Sequence, residues 1–237
     1  METDKNSTPE EERPALADPP EQDQKPPTST VEPDEKIGLD FPVKNGVLQI
    51  PPGVLEIEEK QFAGRKDITA VEFLEPVLLE SIGRAAFCDC VNLRKVRFPM
   101  KMALKEIGED AFRRCGALET LDVPSGVERL GDNAFSECTR LTGLKLPPTL
   151  KQIGTGAFSL CFRLRHVVIP QNVTAIGAEA FYLSRSTSKY ITLDFGERED
   201  FTGIDRGVLR ESRHCPNCGR PYWLLHFRRC PCGAELI

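Results

Sequence analysis

The sequence predicts a repeat solenoid, mainly β-strand with short helical or 3-10 turns, followed by a small cysteine-rich module. Two observations support this. A pattern of 23 to 25 residues returns through the middle of the chain, and four cysteines form two close pairs near its end. The predicted domains are an acidic, proline-rich tail over residues 1–40, the solenoid over 41–204 and the cysteine-rich module over 205–237.

The first 36 residues differ in composition from the rest of the 237-residue chain. They contain eleven acidic and four basic side chains and seven of the nineteen prolines, whereas the whole chain has a formal charge of only −5. The segment also has few aliphatic side chains, and these cannot bury enough apolar surface to offset the entropy of ordering. We therefore expect this tail to be disordered. We interpret it as a solvated spacer, with a specific binding arm as the alternative.

The repeat is clearest at a motif of Ile-Gly followed, after two residues, by Ala-Phe. Fixed-period similarity of this kind is the signature of stacked repeats, in which each unit covers the apolar face of its neighbour. The motif begins at Ile82 and returns, once with leucine in place of isoleucine, while a degenerate first copy joins Ile57 to Phe62. The repeat phenylalanines are Phe62, Phe87, Phe112, Phe135, Phe158 and Phe181, which predicts one continuous aromatic column.

The other half of the unit follows each phenylalanine and reads Cys90-x-x-Leu93-x-x-Val96-x-Phe98-Pro99 in its first full copy. Alternate apolar residues predict a short strand with one buried face, and the proline ends it. We expect the glycine of Ile-Gly to permit a tight bend without a Cβ clash. The Ala-Phe-x-x-Cys segment is compatible with one helical or 3-10 turn.

This unit resembles the leucine-rich repeat of the BspA-like surface antigens, Leu-x-x-Val-x-Ile-Pro-x-x-Val-x-x-Ile-Gly-x-x-Ala-Phe-x-x-Cys. The resemblance covers about residues 47–184. It implies a curved solenoid of parallel strands with a binding role. Atypical end units are expected, since they keep terminal apolar faces from water. Residues 41–57 fit a partial first unit, and 190–195 fit one more strand, followed by a turn through Gly203 and Ile204.

Strand positions between the buried ones should point outward in two columns. One column reads Glu72, Arg97, Asp122, Lys145, Val168, Asp194, and the other reads Ala70, Lys95, Thr120, Gly143, His166, Thr192. Alternating charges on adjacent strands favour a ladder that aids solubility and register. The alternative is a recognition surface for a mixed-charge protein partner. The candidate partner-binding residues are Lys95, Arg97, Thr120, Asp122, Lys145 and His166.

The nine cysteines divide into two sets. Cys90, Cys115, Cys138 and Cys161 each follow a repeat phenylalanine by three residues, which predicts a column of small core residues. A disulfide between neighbouring units, or a metal site, is the alternative. Cys88 stands outside the pattern and is expected to be a surface or partly covered thiol.

The second set is Cys215, Cys218, Cys230 and Cys232, in the motifs Cys-Pro-Asn-Cys and Cys-Pro-Cys. Two close cysteine pairs supply the four thiolates of a tetrahedral structural zinc site, so a zinc-ribbon-like module is predicted. The second motif is one residue shorter than the usual knuckle, and His214 and His226 stand near enough to substitute. A redox dithiol or unliganded thiols are the alternatives.

These features predict a non-catalytic scaffold for protein–protein interaction. The alternative is nucleic-acid binding through Arg220, Arg228 and Arg229, which lie among aromatic residues of the predicted ribbon. We expect no enzyme, because only three histidines occur and no phosphate-binding glycine loop or nucleophile motif is present. No apolar run is long enough to span a bilayer, and the residues after Met1 do not fit a signal peptide. We therefore expect a cytosolic protein without membrane association. We also expect a monomer.

Overall fold

A computed structural model describes residues 41–99, 102–183, 191–196 and 202–205. The predicted tail and the predicted zinc module lie outside these ranges. Within them the chain forms fourteen short strands: β1 (Val43–Lys44), β2 (Val47–Ile50), β3 (Glu56–Ile57), β4 (Ala70–Phe73), β5 (Ser81–Ile82), β6 (Lys95–Arg97), β7 (Glu106–Ile107), β8 (Thr120–Asp122), β9 (Arg129–Leu130), β10 (Gly143–Lys145), β11 (Gln152–Ile153), β12 (His166–Val168), β13 (Ala175–Ile176) and β14 (Thr192–Asp194).

The strands build a solenoid in which each repeat is one rung. The first sheet has the order β1-β2-β4-β6-β8-β10, and the second has the order β13-β11-β9-β7-β5-β3. β12 and β14 pair as a separate two-stranded sheet. Apart from β1, which is antiparallel to β2, neighbouring strands are parallel and in register by repeat position, as Val71 opposite Val96 and Ile82 opposite Ile107 illustrate. The predicted parallel-strand solenoid is confirmed.

The core lies between the two sheets and a third segment, which surrounds each repeat phenylalanine and closes the rung. We call this the turn segment. It is built from the aliphatic, alanine, phenylalanine and cysteine columns of the repeat, most of which are fully buried. The repeat phenylalanines stack with ring centroids 4.9–5.4 Å apart and interplanar angles of 4–21°. The predicted aromatic column is therefore continuous from Phe62 to Phe181. Phe41 closes it with an edge-on contact to Phe62 at 5.2 Å.

The turn segment around each repeat phenylalanine is not the expected helical or 3-10 turn, and the described residues contain no helix. Each segment has one or two residues with a left-handed backbone conformation, for example Ala85 at φ 53° and Asp89 at φ 62°, so no regular helical run forms. The main-chain N–H groups of Ala85, Phe87 and Asp89 donate to carbonyls of the following rung, while Cys88 donates back to Ala85 within its own turn. The segment is thus a series of tight turns joined across rungs.

The glycine after each second-sheet strand is required because a Cβ atom would clash with the preceding rung, in agreement with the expected bend that has no room for one. Gly83, Gly108 and Gly131 do not have a left-handed backbone. A Cβ atom on Gly131 would lie 2.5 Å from the main-chain nitrogen of Glu109 and 2.6 Å from the carbonyl carbon of Gly108. The rungs approach so closely at this corner that no side chain fits.

Both predicted end units are present in the described residues. β1 folds back on β2 as an antiparallel cap, with Val43 opposite Leu48. At the other end, β14 adds a strand beside β12, and Ile204 forms an isolated bridge with Ile176 of the second sheet. These units cover the terminal rungs, as a stacked-repeat protein requires.

Candidate binding surface

The outward sides of β4, β6, β8, β10 and β12 form what we call the front face. The predicted alternation is confirmed there, because Val96 and Leu121 are buried while the residues on either side of them are exposed. Each candidate partner-binding residue points to solvent on this face: Lys95, Arg97, Thr120, Asp122, Lys145 and His166. Parallel register aligns those of β6, β8 and β10 rung by rung, with Thr120 beside both Lys95 and Gly143, and β12, which carries His166, lies against β10.

The charge ladder of the first column forms as two ion pairs. Arg97 donates to the carboxylate of Glu72, and Lys145 Nζ lies 3.8 Å from Asp122 Oδ1. Both pairs are solvent-exposed, and each contributes about 0–1 kcal/mol. The charges of Glu72, Arg97, Asp122 and Lys145 are therefore matched within the protein, which supports the structural interpretation of the ladder.

The second column has no such internal pairing. Among the described residues, Lys95 and His166 have no ion-pair partner, and Thr120 and Gly143 between them are small, leaving a shallow central strip of the front face. Val168 continues the surface beyond His166 on β12 and is 55% exposed.

Ion pairing is distributed unevenly among the cationic side chains of the described ranges. Those of the second sheet are paired, as Arg129 with Glu106 at 3.0 Å and Lys151 with Glu128 at 2.6 Å. Those of the turn segments are also paired: Arg84, Arg113 and Arg114. Among the described residues, the cations without an ion pair are Lys44, Lys66, Arg94, Lys95, Arg140, Arg163 and Arg165, on the cap, the front face and the corner that precedes it. Sequence reasoning missed this segregation, because it depends on which carboxylate lies on the adjacent rung.

The four repeat cysteines are fully buried and free, so the core prediction is confirmed and the disulfide alternative is wrong for them. Each thiol lies 3.1–3.3 Å from the main-chain carbonyl oxygen of the phenylalanine one rung earlier and donates a hydrogen bond to it. Burial raises the pKa of Cys90 to about 11 and that of Cys161 to about 12. These thiols remain protonated at neutral pH and are poor nucleophiles.

Cys88 is partly covered, as predicted, and lies in a charged setting. Its thiol is 3.5 Å from Asp89 Oδ2, and Arg114 binds both oxygens of that carboxylate at 2.5 and 2.6 Å. Burial and then the charge of Asp89 raise the pKa of Cys88, whereas the hydrogen bonds from Arg114 lower the pKa of Asp89. The carboxylate thus disfavours a reactive thiolate at this position.

In the described part of the chain, no group of three or more histidine, cysteine or acidic side chains could hold a metal ion. The predicted zinc ligands, Cys215, Cys218, Cys230 and Cys232, lie outside that part. No helix there is long and apolar enough to cross a membrane. Among the described residues, the front face is therefore the candidate binding surface, and no cluster suited to metal binding is present.

The stacked rungs, parallel sheets and exposed front face define a leucine-rich-repeat solenoid. The sequence model of the family called BspA type leucine rich repeat region matches residues 48–188 in six copies. The chain belongs to this family. This match agrees with the resemblance drawn from the repeat motif. No curated protein is significantly similar to the chain.

Solved structures of similar fold come from bacterial leucine-rich-repeat proteins. A leucine rich cell surface protein from Faecalibacterium prausnitzii is 32% identical with a TM-score of 0.51, over 62% of this chain and 38% of that one. The Treponema pallidum leucine-rich-repeat protein is 24% identical with a TM-score of 0.48, over 60% and 84%. A leucine-rich repeat protein from Eubacterium ventriosum is 21% identical with a TM-score of 0.48, over 70% and 38%. This chain thus spans well under half of two of these proteins.

Proposed function

We propose that this protein is a non-catalytic scaffold that binds a protein partner on its front face. The observation that carries the proposal is the unpaired second column of that face, with Lys95 and His166 on either side of Thr120 and Gly143. Elsewhere on the described solenoid surface, most cations have a carboxylate partner on the same or a neighbouring rung.

The shape of this strip also suits a protein partner. Gly143 has no side chain, and a Cβ there would meet only Thr120, at 3.4 Å or more. The glycine is therefore not required for packing within the sheet, and it lets another main chain approach closely. Stacked repeats provide an extended rigid surface of this kind, to which a partner binds without reordering the scaffold.

The proposal can be tested by quantitative affinity enrichment from cells with two matched variants. Thr120→Arg adds a bulky side chain at the centre of the front face, and Gln152→Arg adds the same side chain at an exposed position of the second sheet. We expect a defined set of proteins to be enriched by the wild type and by Gln152→Arg but lost with Thr120→Arg. Equal enrichment by all three proteins would show that the front face is not the binding surface.

We further propose a structural zinc site in the C-terminal module, held by Cys215, Cys218, Cys230 and Cys232. Its support is the pair of close cysteine motifs, since four thiolates complete a tetrahedral zinc and leave no open position for catalysis. A module this small has too little core to fold without a metal, so zinc removal should unfold it.

Native mass spectrometry of the full chain before and after a strong chelator tests the zinc proposal. One zinc per chain is expected in the wild type and in Cys88→Ser, and none in Cys215→Ser. Absence of metal from the wild type would contradict the proposal, and the four thiols would then be tested for redox chemistry. Nucleic-acid binding through this module, and the cytosolic location, stay predictions from the sequence.

A further inference from the structure

Four basic residues lie together where the corner of the solenoid meets the front face, and we call them the basic cluster: Arg140, Arg163, Arg165 and His166. Arg140 and Arg163 occupy equivalent positions on neighbouring rungs, about 4.8 Å apart along the solenoid. Arg163 and Arg165 stand on either side of the buried Leu164. None of the three arginines forms an ion pair with another described residue.

Arg165 provides a second observation. Among the described residues, its Nη1 is the one buried side-chain nitrogen or oxygen atom without a hydrogen-bond partner. Buried polar groups in folded proteins are almost always satisfied, so an unpartnered guanidinium nitrogen is an exception that requires an explanation. A guanidinium binds a carboxylate through two parallel hydrogen bonds, and rotation of this side chain toward an incoming carboxylate would satisfy the nitrogen.

The surroundings of the cluster combine charge with apolar surface. Val168 follows His166 on the outward side of β12 and is 55% exposed, and Phe162 beside Arg163 is only partly buried. Aromatic surface next to arginine is typical of the centre of a protein interface.

We infer that the basic cluster binds a short acidic protein segment carrying an apolar side chain next to its carboxylates, with Arg163 and Arg165 as the carboxylate-binding groups. This inference rests on the proposed scaffold function and specifies the chemistry of its partner. A protein segment fits better than a nucleic acid. The cluster covers only two rungs and is followed by the acidic Asp194 beside Val168, so an extended polyanion would meet repulsion there.

The test is fluorescence anisotropy with the full-length protein and a fluorescein-labelled peptide of one Glu-Glu-Val unit with blocked ends, short enough to stay within the cluster. Arg140→Glu/Arg163→Glu reverses two charges of the cluster. Lys44→Glu/Lys66→Glu makes the same change in net charge at two exposed, unpaired lysines far from it. We expect the cluster variant to weaken binding at least tenfold and the control variant to change it less than about twofold. Raising the salt from 50 to 300 mM should also weaken wild-type binding severalfold.

Four results would overturn the inference: no measurable binding by the wild type, no loss in the cluster variant, equal loss in both variants, or tighter cluster-dependent binding of a labelled single-stranded oligonucleotide than of the peptide. Thr120→Arg separates this failure from failure of the proposed function. If Thr120→Arg removes cellular partners while the cluster variant retains them, the front face is the binding surface and the cluster is not its carboxylate-binding part.

Discussion

The thiol of Cys138 lies 3.3 Å from the main-chain carbonyl oxygen of Phe112, which belongs to the preceding rung. That oxygen also accepts the main-chain N–H of Cys115. The same relationship recurs at the other three repeat cysteines, so the cysteine column joins rungs by hydrogen bonds as well as by packing.

Replacing Cys138 with alanine should lower the free energy of unfolding by about 1–2 kcal/mol, because the variant loses a buried hydrogen bond and leaves a small cavity. Cys88→Ala is the matched control, since Cys88 is only partly buried, and its effect should stay within about 0.5 kcal/mol. Urea unfolding followed by circular dichroism measures both. An effect of Cys138→Ala no larger than that of Cys88→Ala would contradict the structural role of the column.

The buried thiols also predict a loss of stability at alkaline pH. The pKa of Cys161 is raised to about 12 in the folded protein, whereas an unfolded cysteine titrates near pH 8.5. As the pH rises, the thiol therefore loses its proton first in the unfolded state. The stabilisation that the protonated thiol gives the folded state is complete below about pH 8.5. It declines as the pH rises towards 12, by up to about 1.4 kcal/mol per pH unit.

Cys161→Ala should accordingly show a shallower fall in the free energy of unfolding between pH 8.5 and 10.5 than the wild type. Lysines and tyrosines titrate in the same range, so the informative quantity is the difference between the two slopes. Urea unfolding at closely spaced pH values gives that difference, and identical slopes would mean that the thiol is not protonated preferentially in the fold.

The position of Gly131, where neighbouring rungs approach most closely, should tolerate no side chain. Gly131→Ala places a Cβ atom 2.5 Å from the nitrogen of Glu109, and we expect it to cost about 2–4 kcal/mol. Gly116→Ala is the control, because a Cβ there finds only Thr139 Oγ1, at 3.6 Å. Thermal unfolding should show a large decrease in Tm for Gly131→Ala and little change for Gly116→Ala. Similar values for the two variants would refute the close approach of rungs.

The charge ladder of the front face can be tested with a double-mutant cycle. Arg97→Glu places two carboxylates on adjacent strands beside each other, so it should be slightly destabilising, by about 1 kcal/mol or less. Glu72→Arg combined with Arg97→Glu should restore stability to within about 0.5 kcal/mol of the wild type. If the double variant is no more stable than Arg97→Glu alone, the pair makes no energetic contribution to register.

Much of the fold could be predicted because the repeat makes the same contacts in every rung. The spacing of Phe87, Phe112 and Phe135 was enough to predict the aromatic column, since a core position of one unit must stack on the same position of the next. The outward position of Arg97 and Lys145 followed from the two-residue period of a strand.

The turn segment could not be predicted in this way. The Ala-Phe-x-x-Cys spacing fits a helical turn, but left-handed residues such as Asp89 and Arg114 interrupt it. Their conformation is stabilised by hydrogen bonds to the next rung, as from the N–H of Asp89 to the carbonyl of Arg113. A local pattern contains no information about such partners.

The sequence by itself determined the number and phase of the rungs, the composition of each core column and the outward face of each strand, because these depend on periodicity within a single repeat. Only the tertiary structure decided why Gly131 must be glycine, which carbonyl receives the thiol of Cys138 and which arginines remain unpaired. Those properties depend on distances between residues of different rungs, which stacking brings to within a few ångströms.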